Sequence, residues 1–349
     1  MPVYLVTGCA GFIGSWITQT LLERGETVRG LDNFETGLRD NIAPLIDSYG
    51  SAHEPQSGSV KSAHSSRPEN SASGGFDFLE CDLRDADAVA RACQGVDFIF
   101  HQGARPSVPR SVKDPRTSHT ANLDGTFNLL EGARAAGVKR IVYAASSSAY
   151  GNQPGFPRVE TMVPMPIAPY PVQKLAGEFY MKSYWQVYGI ETVCLRYFNI
   201  FGPRQVPDSP YSGVMAKFTL QMMRGERPTI FGDGEQGRDF TYVENAVSAN
   251  LLALEAPADK VAGRVFNVAC GERHTLNKTF RILAELLDFK EPAIYGPPRT
   301  GDIQNSLADI SAAREAFGYE PKVSFEEGLR RTVAWYREQY AMKPVAGRL

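Results

Sequence analysis

The chain has 349 residues, 43% of them hydrophobic, and a formal net charge of −2. That is enough apolar mass for one large domain or two coupled ones, and the near-balanced charge gives no electrostatic case for nucleic acid or an anionic membrane surface. Five scattered cysteines form no CxxC and five histidines no HxH or HxxxH, so neither a disulfide framework nor a metal site is indicated and a reducing, cytoplasmic compartment is expected.

The start, MPVYLVTG, reads as a strand (3–7) running into a glycine turn, with no cleavable signal ahead of it. No apolar window of roughly 18 residues, the length a membrane helix needs, occurs in the sequence. A helical pattern covers 12–25, and strands are expected at 27–32 and 76–82. Between them, segment 48–75 is rich in Ser, Gly, Ala and Pro and nearly lacks large apolar residues. It cannot bury enough surface to offset its ordering entropy, and reads as a mobile insertion between the second helix and the third strand, with a substrate lid as the alternative. ADAVARACQG is a short helix ending on Gly95. Strands at 97–101 and 140–146 flank a helix over 118–136. A helix over 169–188 stops at Gly189, and a strand follows at 191–197. This alternation predicts an α/β fold with a doubly wound parallel sheet covered on both faces. After residue 200, loop-like stretches such as FGPRQVPDSPYSG and GPPRTGD separate shorter helices, which suggests a smaller C-terminal lobe.

TGCAGFIG sets Gly8, Gly11 and Gly14 directly after a strand and at the opening of a helix. Glycines there permit a tight turn and close approach to a pyrophosphate, and the helix N-terminus supplies N–H groups and positive dipole. Asp32 ends the second strand, where a carboxylate binds both ribose hydroxyls and repels a 2′-phosphate, so NAD is favoured over NADP. Asp82 either meets the adenine edge or caps the helix over 84–94. The first 197 residues are thus expected to form a Rossmann-type NAD-binding domain, completed by sheet segments near 238–270, and 198–349 mainly a substrate-binding lobe.

Tyr170 and Lys174 are four apart in PYPVQKLAGE and share one helix face. An ammonium beside the phenol, together with a positive nicotinamide, favours phenolate and is expected to lower the tyrosine pKa toward working range. The serines of AASSSAYG close the preceding strand, where a hydroxyl can hold the reacting oxygen.

With these motifs in place, the chain resembles the extended short-chain dehydrogenase/reductase family, in particular its nucleotide-sugar epimerases. The segments that carry the likeness are TGCAGFIG, HQGARPSVPRSVKDP (101–115), SSSAYG (146–151), Tyr170 with Lys174, LRYFNIFGPRQ (195–205), GDGEQGRDFTYV (232–243) and GDIQNSLADIS (301–311). The resemblance implies that Ser146, Tyr170 and Lys174 are catalytic. It implies cofactor contacts from Phe12, Ile13, Asn33, Leu83, Gln102, Gly103, Ala104, Asn122 and Tyr197, beside the glycines, Asp32 and Asp82. For a UDP-sugar it implies Ser107, Ser147, Ser148 and Asn199, with Arg238 and Arg299 clamping the phosphates, Thr229 and Phe231 lining a uracil pocket, and Asp302 and Ser306 nearby. A homodimer through the helices near 118–136 and 169–188 is also implied.

The dehydratases of this family follow the catalytic Ser or Thr with Asp and Glu, and decarboxylating relatives keep a Glu two places on. Here Ser147 and Ser148 stand there, so hydride return, which is 4-epimerisation, is expected rather than 4,6-dehydration. The family gate position is Ser306, small enough to admit an N-acetyl group. UDP-Glc/UDP-Gal and UDP-GlcNAc/UDP-GalNAc are therefore the expected pairs. UDP-glucuronate is the competitor: the glucuronate enzymes tend to carry Thr in place of Asn199 and Arg in place of Val206. Arg105, where an apolar residue is common, is a candidate neighbour of the sugar or nicotinamide. Cys9 and Trp16 replace more usual choices and are expected to matter little.

Overall fold

Seven apolar runs pair side by side, all parallel, in a computed structural model that describes residues 1–50, 74–206, 213–298 and 305–341. They are β1 (Val3–Thr7), β2 (Thr27–Asp32), β3 (Phe76–Glu80), β4 (Phe98–His101), β5 (Arg140–Ser146), β6 (Glu191–Tyr197) and β7 (Arg264–Val268), in the order β7-β6-β5-β4-β1-β2-β3. Side chains along each strand alternate between faces. Leu5, Ile99 and Ile141 join one buried cluster, whereas their neighbours Val6, Phe100 and Val142 join the other. A sheet buried on both sides is what its near-continuous apolar strands require.

The covering helices include α1 (Phe12–Glu23), α2 (Arg39–Tyr49), α3 (Ala86–Cys93), α4 (Gly125–Ala136) and α5 (Pro169–Tyr188). The last two end on Gly137 and Gly189, both left-handed, at φ 73° and 75°. Beyond β6, α6 (Val214–Met223), α7 (Val243–Glu255), α8 (Leu276–Leu287), α9 (Ser311–Phe317) and α10 (Phe325–Ala341) alternate with β7 and with strands of two or three residues.

Three expectations need correction. The helix over 118–136 is a short helix at 115–119, a π-turn at Thr120–Asp124 and then α4. The widened turn carries Asn122 inward, a local distortion of the kind found at functional sites. β3 stops at Glu80 instead of residue 82, because Arg84 and Asn33 take hold of the Asp82 carboxylate. The cap of α3 is Asp85, which accepts from the Ala88 N–H at 3.0 Å, not Asp82. The insertion expected at 48–75 lies, over 51–73, outside the described residues.

Candidate active site

The turn after β1 builds a cradle. Gly8 has φ +70°, and a Cβ on it would fall 2.8 Å from the Gly103 nitrogen. A Cβ on Gly14 would collide with the Gly8 carbonyl. Gly11 is the N-cap of α1 and offers no side chain to its first N–H groups, which leaves them to an anion. Asp32 is buried and uses one oxygen on the Ala10 N–H (3.0 Å) and the other on the Phe34 N–H (2.8 Å). Burial raises its pKa. Arg84 and Asn33 hold Asp82 ionised, with its pKa down to about 2.

Gly8, Gly11, Gly14, Asp32, Asn33 and Asp82 line a cavity of about 550 Å³ together with Phe12, Ile13, Leu83, Gln102, Gly103, Ala104, Ser107, Tyr170, Lys174 and Tyr197. Its far wall is braced from behind. Thr7 Oγ1 accepts from the Gly103 N–H at 3.0 Å and meets His101 Nδ1 at 2.7 Å. His101 also reaches Thr126, and full burial holds its pKa down at about 3, so the ring is a neutral strut. The backbone cradle, the donor-rich helix start and the free lone pairs on Asp32 fit an NAD-type dinucleotide, its pyrophosphate at the glycines and a ribose at Asp32.

A second cavity of about 240 Å³ is lined by Ser146, Ser147, Ser148, Tyr150, Asn199, Arg238, Asn305 and Ser306, and shares Tyr197 with the first. Ser146 Oγ and Ser148 Oγ are 2.7 Å apart. The Asn199 amide donates to the Asp239 carbonyl at 2.9 Å and to Ser306 Oγ at 3.4 Å. Among the described residues this lining carries hydroxyls, amides and arginines, and no carboxylate.

Helix α5 places the reactive pair on the first cavity, with Tyr170 against Ser146 of the second. The Tyr170 N–H donates to Ser111 Oγ at 3.0 Å, fixing the helix start. Lys174 is only 2% exposed, with Nζ 4.7 Å from the centre of the Tyr143 ring. Burial pulls its pKa down to about 7, against the upward pull of Glu178. Burial likewise pushes Tyr170 up to about 12, with Ser146 pulling it down. Within the chain itself, burial outweighs the Ser146 hydrogen bond, and Ser146 is the group that favours phenolate.

The remaining candidates stand as follows. Asn122 lines neither cavity; it is buried in the π-turn, accepting from the Arg105 N–H at 2.7 Å and donating to the Arg105 carbonyl at 3.1 Å. It braces the wall that it was expected to form. Arg105 lies at the dinucleotide cavity and is held by Glu35 (2.7 Å) and Asp114 (2.9 Å), away from the lining of the second cavity. Thr229 and Phe231 line neither cavity; their short strand pairs with Ile294–Gly296. Arg299 and Asp302 lie outside the described residues.

Sequence reading missed several supports. Glu178, four residues beyond Lys174, forms a bidentate pair with Arg196 at 2.9 and 2.7 Å, both 3% exposed. The Tyr-x₃-Lys-x₃-Glu spacing could have signalled it. Asn250 meets Tyr197 and Gln102. Asp239, fully buried, accepts from the backbone N–H groups of Cys270 (2.9 Å), Gly271 (3.0 Å) and Ala308 (3.2 Å). No local pattern announces these.

Fold and site together define an NAD-dependent dinucleotide-cleft enzyme with a second pocket at the reacting group. Residues 4–269 match the NAD dependent epimerase/dehydratase family. The chain belongs to that family and is a nucleotide-sugar epimerase of the extended short-chain dehydrogenase/reductase type. It is 36% identical to a solved UDP-glucose 4-epimerase with UDP-glucose from Thermotoga maritima, at a TM-score of 0.84 and covering 97% of this chain and 99% of that one. A UDP-N-acetylglucosamine 4-epimerase from Methanobrevibacter ruminantium, in complex with UDP-N-acetylmuramic acid, is 35% identical, with TM-score 0.83 and the same coverage. A UDP-glucuronate 4-epimerase from Thermodesulfobacterium geofontis is 32% identical over 97% of both chains. Among the described residues no helix is long and apolar enough to cross a membrane.

Proposed function

We propose that the chain interconverts UDP-Glc with UDP-Gal and UDP-GlcNAc with UDP-GalNAc through a transient 4-keto sugar. The observation that carries this is the second cavity: serines at 146–148, a small Ser306 and no described carboxylate beside the reacting group. Elimination of water needs an acid there, and none of the lining residues supplies one, so the 4-keto sugar returns to an alcohol. NAD, held by the glycine cradle and Asp32, would supply the hydride acceptor and donor. Tyr170 takes the 4-hydroxyl proton and gives it back, Ser146 holds the hydroxyl, and Lys174 binds a ribose and adds positive charge near the phenol. Asn199 and Arg238 hold the UDP phosphates while the sugar turns.

Ser306 sets the sugar range in this reading. A panel of UDP-sugars resolved by chromatography tests it: both pairs are turned over by the wild type. Ser306→Tyr suppresses the N-acetylated pair by overpacking and spares UDP-Glc and UDP-Gal. Equal loss for both pairs, or fastest turnover of UDP-glucuronate by the wild type, sinks the reading. Glucuronate would bring a carboxylate into the pocket, and Arg105 already has two acidic partners.

The protein is a cytoplasmic homodimer in the same reading. Phe127 on α4 and Val172, Phe179, Tyr180, Val187 and Tyr188 on α5 are large apolar or aromatic residues left exposed, and a copy of the chain would cover them. Light scattering at micromolar concentration should give twice the chain mass of 38.4 kDa; a monomeric mass refutes it.

A further inference from the structure

We infer that Arg158 is a specificity residue of the second cavity, placed to donate to the acyl oxygen of a 2-acetamido sugar. The inference rests on the substrate range proposed above and adds a residue that reads it. Arg158 lies between the serines and α5, is only 3% exposed, and lines the cavity with Ser146, Ser148 and Ser306. A short backbone ladder fixes its position. On one edge of segment 305–309, the Ser306 N–H donates to the Gly237 carbonyl at 3.0 Å. On the other edge, the Leu307 carbonyl accepts from the Arg158 N–H at 2.8 Å, and the Asp309 N–H donates to the Arg158 carbonyl at 2.9 Å. The Asn267 amide donates to that same carbonyl at 3.0 Å. The chain at Arg158 and the chain at Arg238 therefore flank the Ser306 segment from opposite sides.

The side chain is held without being used up. Its guanidinium stands over the Phe156 ring, 4.5 Å from the centroid. Among the described residues its side-chain hydrogen bond is from Nη1 to the Pro154 carbonyl, long at 3.4 Å, and no carboxylate pairs with it. Burial lowers its pKa and the Tyr150 phenol opposes that shift; no acid contributes. A guanidinium carries more N–H donors than this bond occupies, and donors kept from water are costly unless a partner fills the site.

The location selects the partner. Arg238 and Asn199 take the diphosphate in the reading above, on the far edge of the Ser306 segment, so Arg158 meets the sugar. The lining holds Arg158 and Arg238 and, among the described residues, no carboxylate. The formal charges of a diphosphate already balance those two cations, so the partner of Arg158 need not be an anion. An amide carbonyl is a strong uncharged acceptor, and a 2-acetamido group would place one beside the small Ser306. The 2-hydroxyl of a plain hexose is shorter and brings no carbonyl there.

The test compares affinities of the NAD-loaded enzyme for UDP-GlcNAc, UDP-Glc and UDP by calorimetry, with KM and kcat for both sugars alongside. Arg158→Met keeps the length of the side chain and removes its donors. It should weaken UDP-GlcNAc about tenfold or more, the scale of a lost hydrogen bond to a charged group. UDP-Glc and UDP should stay within about threefold, and the loss should appear in KM more than in kcat. Weakening of UDP-Glc equal to that of UDP-GlcNAc overturns the inference, since a merely structural role would move both. Weakening of UDP by the same factor also overturns it, since Arg158 would then hold a phosphate. So does a change below threefold for UDP-GlcNAc. A wild type that binds UDP-GlcNAc without turning it over removes the proposed substrate range, while the affinities still decide the contact. A wild type that does not bind UDP-GlcNAc overturns both. If Arg158→Met does not fold, Arg158→Gln is read against the same limits.

Discussion

The two cavities that meet at Tyr197 are built in opposite ways. The dinucleotide cavity takes its walls from successive strand ends: Gly8–Gly14 after β1, Asp32 and Asn33 after β2, Asp82 and Leu83 after β3, and Gln102–Ala104 after β4. Each piece is local, and much of what it offers is backbone. The second cavity gathers Ser146–Ser148, Asn199, Arg238 and Ser306 from four distant stretches, and buried polar bonds hold them in place. Asp239 is the knot: it follows Arg238, its carbonyl accepts from Asn199, and its carboxylate reaches Ala308, two residues past Ser306. A wall made of local turns fixes one ligand, whereas a wall of side chains on long-range supports can change its guest by single substitutions. That difference matches a family constant in its dinucleotide and varied in its sugars.

The largest expected effect falls where the two cavities meet. Tyr170→Phe should cut turnover about 10²–10⁴-fold, the usual worth of a positioned proton-transfer group. NAD bound per protomer and UDP affinity should stay at wild-type levels, since neither cavity loses a wall. Activity within a few-fold of wild type would remove Tyr170 from proton transfer.

Asp32→Ala should break only the dinucleotide side. It should weaken NAD about ten- to a hundredfold, as expected for lost hydrogen bonds to a charged group, and relax discrimination against NADP. Fluorescence titration with both dinucleotides checks this, and an unchanged preference would mean that another group reads the ribose.

Asp239→Asn should act only on the substrate side, and more gently. The amide N–H₂ would face one of three backbone N–H donors, a loss of about 1–3 kcal/mol, and KM for the UDP-sugar should rise while NAD content holds. Burial pushes Asp239 up to about 7, above the value of about 3.9 in an unfolded chain. The folded state thus binds the extra proton between those values, and this group's contribution to stability falls as pH rises from about 4 to 7. The stability gap between wild type and variant, from urea unfolding, should be wider at pH 5 than at pH 8. A gap independent of pH would show that Asp239 does not titrate in this way.

Legibility in the sequence follows the same division. Strands 3–7, 27–32, 140–146 and 191–197 could be read to the residue and the helix around 169–188 closely, because apolar periodicity and glycine stops are local signals. The 118–136 helix was misread because the π-turn at Thr120–Asp124 exists to turn Asn122 against Arg105, a contact across 17 residues. Arg105 could be placed no more finely than beside the sugar or the nicotinamide, because its two partners, Glu35 and Asp114, are not adjacent to it in sequence.

What the sequence determined by itself is what neighbouring residues can enforce. A glycine turn must admit a pyrophosphate, an acid at a strand end must face a ribose, and residues four apart on a helix must share a face. The tertiary structure alone decided which charges lie buried and what they meet. It set Lys174 at 2% exposure with its pKa near 7, placed Ser146 against Tyr170, and laid Arg204 over Trp16, 188 positions away. Desolvation and long-range pairing depend on every element packed around a group, and no local stretch of sequence contains them.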